Sequence, residues 1–166
     1  MTPAMPWSMR HTITALVQNE AGTLNRVVSL FRKRGFSLAS MTAGDCEQPG
    51  YSRLTIVVNG DEATMHQCVN QLDKLIDVVE VEDLPERSSV QRELALVQVS
   101  ASAGKRSEVI EIVQVMGGQI ASLTQETVTV EFSGEPAKIV RLIAMLEPYC
   151  VREIVRTGMV AIRVEE

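Results

Sequence analysis

One spacing recurs four times in this chain and limits what it can become. Leu24, Val27, Val28 and Phe31 fall at i, i+3, i+4 and i+7, which places them on one stripe of a helix over about 22–34. The spacing returns at Met65, Cys68, Val69 and Leu72, at Val109, Ile112, Val113 and Met116, and at Ile139, Leu142, Ile143 and Leu146. Each helix so formed has one apolar face, and that face must be laid on another layer. Between the helices the period drops to two. Leu54, Ile56 and Val58 alternate with Arg53, Thr55 and Val57, and Val128, Val130 and Phe132 alternate with Thr127, Thr129 and Glu131. These predict half-buried antiparallel strands over 51–59 and 126–133. Further strand-like runs cover 11–18, 37–46, 76–83, 93–101, 118–123, 150–156 and 159–164.

The punctuation agrees. Asp61 and Ser107 are expected to cap the second and third helices, and Pro136 suits the first turn of the fourth. Gln48-Pro49-Gly50 reads as a hairpin turn, Asn59-Gly60-Asp61 as a strand-to-helix turn, and Gly117-Gly118 as the end of the third helix. The order is strand, helix, strand, strand, helix, strand, and then the same again. That is an α+β chain of two tandem ferredoxin-like βαββαβ domains. The expected bounds are a leader over 1–8, a first domain over 9–84, a polar link over 85–92 and a second domain over 93–166. Met9 is an alternative start. Each half is close to the size at which a lone core is marginal, and four-stranded sheets leave open edges. Both facts favour a dimer that joins sheets edge to edge.

Composition narrows the classes. The net charge of −5 gives no general attraction to nucleic acid or an anionic membrane. Three widely spaced cysteines, Cys46, Cys68 and Cys150, read as reduced thiols in the cytoplasm and carry no zinc-ligand spacing. No apolar run reaches the roughly 18 residues of a membrane helix, and the first residues lack a signal-peptide pattern.

A search for catalysis finds little. His11 sits at a strand start and His66 on a helix, neither with a partner at a recognisable spacing. No nucleophile elbow, zinc motif or phosphate-binding glycine loop is present. Glu80, Glu82 and Asp83 read as a solvated strand edge. The segment with site-like chemistry is Gln18-Asn19-Glu20-Ala21-Gly22-Thr23-Leu24, which runs from the first strand into the first helix. Glycine admits close approach of a ligand, free N–H groups of a helix start favour a carboxylate, and Asn19 both donates and accepts. The residues alone leave a second reading open: Asn19 or Thr23 caps the helix while Gly22 serves the turn.

The run Asn19-Glu20-Ala21-Gly22-Thr23-Leu24-Asn25-Arg26-Val27, with Leu30-Phe31 and Arg34-Gly35-Phe36 after it, resembles the opening of the acetohydroxyacid synthase (acetolactate synthase) small regulatory subunits, which is an ACT domain. Ser52-Arg53-Leu54-Thr55-Ile56 resembles the family's third strand, and Gln71 to Val78 its second helix and fourth strand. Arg92 to Val97 resembles the entry to its C-terminal domain, and Arg156-Thr157-Gly158 its last turn. The likeness runs in register from about Met9 to Val164.

The resemblance implies a non-catalytic cytoplasmic subunit that binds a catalytic large subunit, raises its activity and makes it sensitive to a branched-chain amino acid, usually valine. Thiamine diphosphate, magnesium and FAD would belong to that large subunit, and no cofactor or metal to this chain. It also implies a homodimer through paired ACT domains, with the effector in the cleft between them. Asn19, Ala21, Gly22, Thr23 and Leu24 would line that cleft from one protomer, and Ser37 and Leu38 from the other. At Ser37 the family commonly carries asparagine, so the serine predicts a site of weaker or altered selectivity. Valine, leucine and isoleucine all stay open as effectors. Gly104 in the corresponding second loop, Ala101 to Ser107, lacks an asparagine neighbour, which points that loop to assembly or to the large subunit. An ACT-type sensor serving another enzyme is a neighbouring alternative. A tandem RRM-like RNA binder is a distant one, because only six aromatics are present and base stacking needs them on central strands.

Overall fold

The computed structural model describes residues 10–164; the leader 1–8 and Met9 lie outside them. In chain order the elements are β1 (Arg10–Gln18), α1 (Thr23–Arg34), β2 (Ser37–Asp45), β3 (Tyr51–Asn59), α2 (Glu62–Leu72) and β4 (Val78–Asp83). A 3-10 turn (Glu86–Ser88) leads into β5 (Ser89–Ser100), α3 (Arg106–Met116), β6 (Gln119–Leu123), β7 (Thr127–Gly134), α4 (Pro136–Leu146), β8 (Val151–Arg156) and β9 (Val160–Arg163). The strand orders are β2-β3-β1-β4 and β6-β7-β5-β8, the ferredoxin-like arrangement built twice. β9 lies off the second path and pairs β5.

The apolar stripes find their sheets. In the first unit Val27, Phe31, Met65, Cys68 and Leu72 pack on Ile13, Ala15, Val17, Leu54, Ile56 and Val58. In the second, Val109, Val113, Ile139, Leu142 and Leu146 pack on Ala95, Val97, Val99, Val128, Val130 and Phe132. The stripe of α1 is rotated from its expected face. Leu24 and Val28 stay 44% and 42% exposed, while Thr23, one residue before the stripe, is buried with Val27 and Phe31. The Arg-Gly-Phe segment has a physical reason. Gly35 closes α1 at φ +68, the Phe36 N–H donates back to the Phe31 carbonyl at 3.0 Å, and the two rings meet edge to face at 5.8 Å.

Three local expectations are corrected. Asp61 does cap α2, accepting from the Thr64 N–H, but Ser107 does not cap α3; the helix starts at Arg106 with Lys105 before it and no side-chain cap. Residues 51–59 are not half-buried: Thr55 and Val57, on the face away from the helices, are buried as well. The polar link is shorter than its composition suggests, because Ser89 already begins β5 and its hydroxyl donates to the Pro85 carbonyl.

The chain forms two compact units, one of residues up to Val90 together with those from Met159 onward, the other of Gln91–Gly158. The final segment, expected over 159–164 in the second half, is thus fixed to the first sheet. Thr42, Thr55, Thr14 and Glu82 form one cross-strand row over β2, β3, β1 and β4. The Thr42 hydroxyl donates to the Met159 carbonyl at 3.1 Å, and Arg163 bonds Glu82 at 3.2 Å and the Asp83 carbonyl at 3.0 Å. Three inter-strand gaps cover about 14 Å and four residues of extended chain about 13 Å, so the segment has the reach to cross the row.

Candidate functional site

The end of β1 is where the first unit opens. A depression of about 200 Å³ lies there, lined by Asn19, Gly22, Thr23, Leu24 and Asn25 of the strand-to-helix corner and by Ala43 and Ser52 of the neighbouring strands. Register explains the company: Ser52 lies opposite both Val17 and Asp45, so the ends of β1, β3 and β2 meet at this corner.

The corner is held by its backbone. The Asn19 N–H donates to Gly50 O at 2.9 Å, and the Thr23 N–H to Glu20 O at 3.2 Å. Gly22 takes φ +92 as the residue preceding α1, a left-handed conformation that glycine adopts without cost. No side chain caps α1, so neither Asn19 nor Thr23 plays the capping role left open by the sequence. Helix geometry leaves the N–H groups of Leu24 and Asn25 without intrahelical acceptors. The Thr23 hydroxyl is the exceptional atom. Thr23 is 2% exposed and lines the depression, yet its oxygen has no hydrogen-bond partner. Such an atom costs free energy unless something is bound to it.

The corner is also braced from below. Arg26, one turn into α1, pairs through Nε with Asp77, whose side chain is 6% exposed. The hydrogen bond to Asp77 raises the Arg26 pKa above its usual value, against a smaller desolvation penalty. The Asp77 carbonyl in turn accepts the Gln18 N–H at 2.8 Å.

Of the residues singled out in the sequence, Asn19, Gly22, Thr23 and Leu24 line the depression; Ala21 is exposed beside it. Ser37 and Leu38 do not join them. They begin β2 beside Asn59 and Val58, eight residues from Asp45, or about 26 Å of strand. They also point to opposite faces of the sheet: Leu38 shares the helix face with Val58, and the Ser37 hydroxyl accepts from Asn59 Nδ2 at 3.2 Å. Ala43, Ser52 and the Arg26–Asp77 pair went unmarked as site residues in the sequence. Arg26 and Asp77 both fall in segments that carried the family resemblance, but nothing in their spacing said that they meet.

At the corresponding corner of the second unit α3 also lacks a side-chain cap, and the Nε of Arg106 is buried without a partner. The Lys105 and Arg106 N–H groups both turn to the Ser102 carbonyl, at 2.9 and 3.1 Å, and the Arg106 guanidinium donates to Gln125 O at 2.6 Å. Among the described residues no group of three His, Cys, Asp or Glu side chains could hold a metal, and no helix is long and apolar enough to cross a membrane.

Comparison with known proteins agrees with this architecture. Residues 13–80 match the AHAS small subunit-like ACT domain, and residues 92–165 match the family described as the small subunit of acetolactate synthase. A probable acetolactate synthase small subunit of Archaeoglobus fulgidus is 40% identical over 153 residues, which are 92% of this chain and 96% of that protein. The acetolactate synthase small subunit of Mycolicibacterium smegmatis is 41% identical over 152 residues, 92% of this chain and 89% of its own. The crystal structure of the small subunit from Thermotoga maritima superposes with a TM-score of 0.88 at 35% identity, covering 95% of this chain and 98% of that one. An ACT domain followed by a second ferredoxin-like unit, matched along nearly the whole chain, makes this protein a member of the acetolactate synthase small-subunit family.

Proposed function

We propose that the chain is a non-catalytic regulatory subunit that activates the acetolactate synthase large subunit and subjects it to feedback by a branched-chain amino acid, valine first among them. The thiamine diphosphate, magnesium and FAD of the reaction belong to that large subunit, and the site for the complex is the cytoplasm. The observation that carries the effector site is the buried, unpartnered Thr23 hydroxyl beside the uncapped start of α1. A carboxylate answers both features, since it accepts from free helix N–H groups and from a hydroxyl. Leu24, left 44% exposed, offers apolar surface to a branched side chain.

The second half of the site comes from a partner copy. β2 is an edge strand, and edges are open to pairing. Two copies joined antiparallel along β2 and centred on Met41 would set the partner's Ser37 and Leu38 opposite Asp45 and Gly44, at the end of the strand where the depression lies. This arrangement accounts for why one protomer holds the two groups about 26 Å apart. An effector that prefers one arrangement of the pair shifts the complex toward it, and the large subunit couples reciprocally.

Calorimetric titration of L-valine, L-leucine and L-isoleucine into the full chain tests the reading, with Asn19→Ala as control. Saturable binding that the variant loses is expected. Binding by none of the three, to the chain or to its complex with the large subunit, would refute it, as would binding that Asn19→Ala leaves unchanged.

A further inference from the structure

Asp77 grips both ends of the effector corner. Its carbonyl takes the N–H of Gln18, the last residue of β1, and its carboxylate takes Arg26 of α1. Residues 19–25 lie between these two grips, and 19–22 of them join β1 to α1. Arg26 reaches back toward the start of its own helix, as helical side chains do, and its N–H donates to the Gly22 carbonyl at 2.9 Å. Its guanidinium covers the face of Gly22 from which a side chain would project: Nη1 lies 3.6 Å from the position a Cβ would take. Nε is committed to Asp77, while the Arg26 side chain as a whole stays half exposed.

We infer that Arg26 and Asp77 are positioning residues for effector recognition, Asp77 fixing the span of the corner and Arg26 adding a held positive charge at the helix start that selects for a carboxylate. The inference rests on the effector site proposed above. A buried carboxylate is costly unless paired, and here the pair spans 51 residues of sequence to land at the corner that carries the unpartnered Thr23 hydroxyl. The second unit offers an internal contrast. Its buried carboxylate, Glu93, takes two bonds from Arg156, at 2.7 and 2.6 Å, and so joins two adjacent strands, with no loop corner between its partners.

The test compares L-valine with L-valinamide, which lacks the carboxylate charge, by calorimetric titration into the full-length dimeric chain. Wild type should prefer valine. In Arg26→Met the preference should fall about tenfold, and in Arg26→Lys, which keeps the charge, most of it should return. Asp77→Asn should weaken both ligands by a similar factor, because it loosens the corner and leaves the cation. Circular dichroism and sizing establish that each variant is folded and dimeric, and Arg26→Lys and Asp77→Asn keep the question open to refutation where Arg26→Met fails to fold. An unchanged preference in Arg26→Met, or equal weakening of both ligands by it, would overturn the role given to Arg26. An Asp77→Asn variant that binds like wild type would overturn the role given to Asp77. Should Asn19→Ala also bind like wild type, the site itself is elsewhere and both proposals fall together; loss in Asn19→Ala with no effect at Arg26 and Asp77 removes only this one.

Discussion

The two units share an order of elements and a strand topology, and they differ at two places. At the strand-to-helix corner, both helices start without a side-chain cap, but the first unit buries an unpartnered hydroxyl that lines a depression, whereas the second buries the unpartnered Nε of Arg106, whose guanidinium also donates to Gln125 O. On the sheet face away from the helices, β1 is buried at six consecutive residues, whereas β5 alternates from Glu93 to Ser100. Continuous burial means that both faces of the strand are covered, and alternation means that one is solvated. A fold repeated within one chain is therefore no guarantee of a repeated role: the ligand is proposed at the first corner, where the unpartnered hydroxyl lines a depression.

The largest effect should come from placing the same charge at both corners. Gly22→Asp is expected to weaken binding of a branched-chain amino acid by at least about 100-fold, since its carboxylate competes for Arg26 and for the helix start. Backbone strain at φ +92 adds to this, so Gly22→Asn, which tolerates the left-handed region better, separates strain from charge and should lose less. Gly104→Asp, at a position with nothing within 4 Å of a new Cβ, should leave binding as in wild type. Parallel titrations decide it; equal loss at both corners would dissolve the contrast between them.

The sheet faces should differ in stability. Leu16, outward on β1, is 6% exposed, while Leu96, outward on β5, is 36% exposed. Leu16→Ala should cost about 2–4 kcal/mol in urea unfolding and Leu96→Ala less than about 1 kcal/mol. Comparable losses would mean that the open face of the second sheet is covered in solution, as by assembly.

The smallest effect concerns pH. Burial pushes the Cys68 thiol up to about 11, from an ordinary 9.0, whereas Cys150 of the second unit is exposed. Between those values the unfolded chain gives up a proton that the folded one keeps. Stability should therefore fall as pH rises through this window, by at most about 1.4 kcal/mol per pH unit. Unfolding midpoints measured at pH 8 to 11 should show a steeper decline for wild type than for Cys68→Ala, and parallel slopes would contradict the shift.

Much of this was legible beforehand. Helices and strands could be placed within a few residues because period 3.6 and period 2 are local properties of the chain. The Asp61 cap, the hairpin at 48–50 and the end of α3 at Gly117 were readable for the same reason, since each turn depends on two to four neighbouring residues. The capping role assigned to Ser107 failed because a helix start also depends on which carbonyl the preceding loop presents, here that of Ser102. The corner at 19–24 was marked by its glycine, its amide and its resemblance, but its decisive feature, a buried hydroxyl left without a partner, depends on everything packed around it.

The amino-acid sequence by itself determined the order of elements, the two ferredoxin-like units and the apolar faces that join helices to sheets, because each follows from periodicity over a dozen residues or fewer. Only the tertiary structure decided which polar groups are spent and which are left over. It brought Asp77 to Gln18 and Arg26, set Ser37 and Leu38 at the far end of β2, and tied Met159 and Arg163 to the first sheet. Those relations join residues separated by tens of positions, and they are fixed by strand register and burial, which no local pattern encodes.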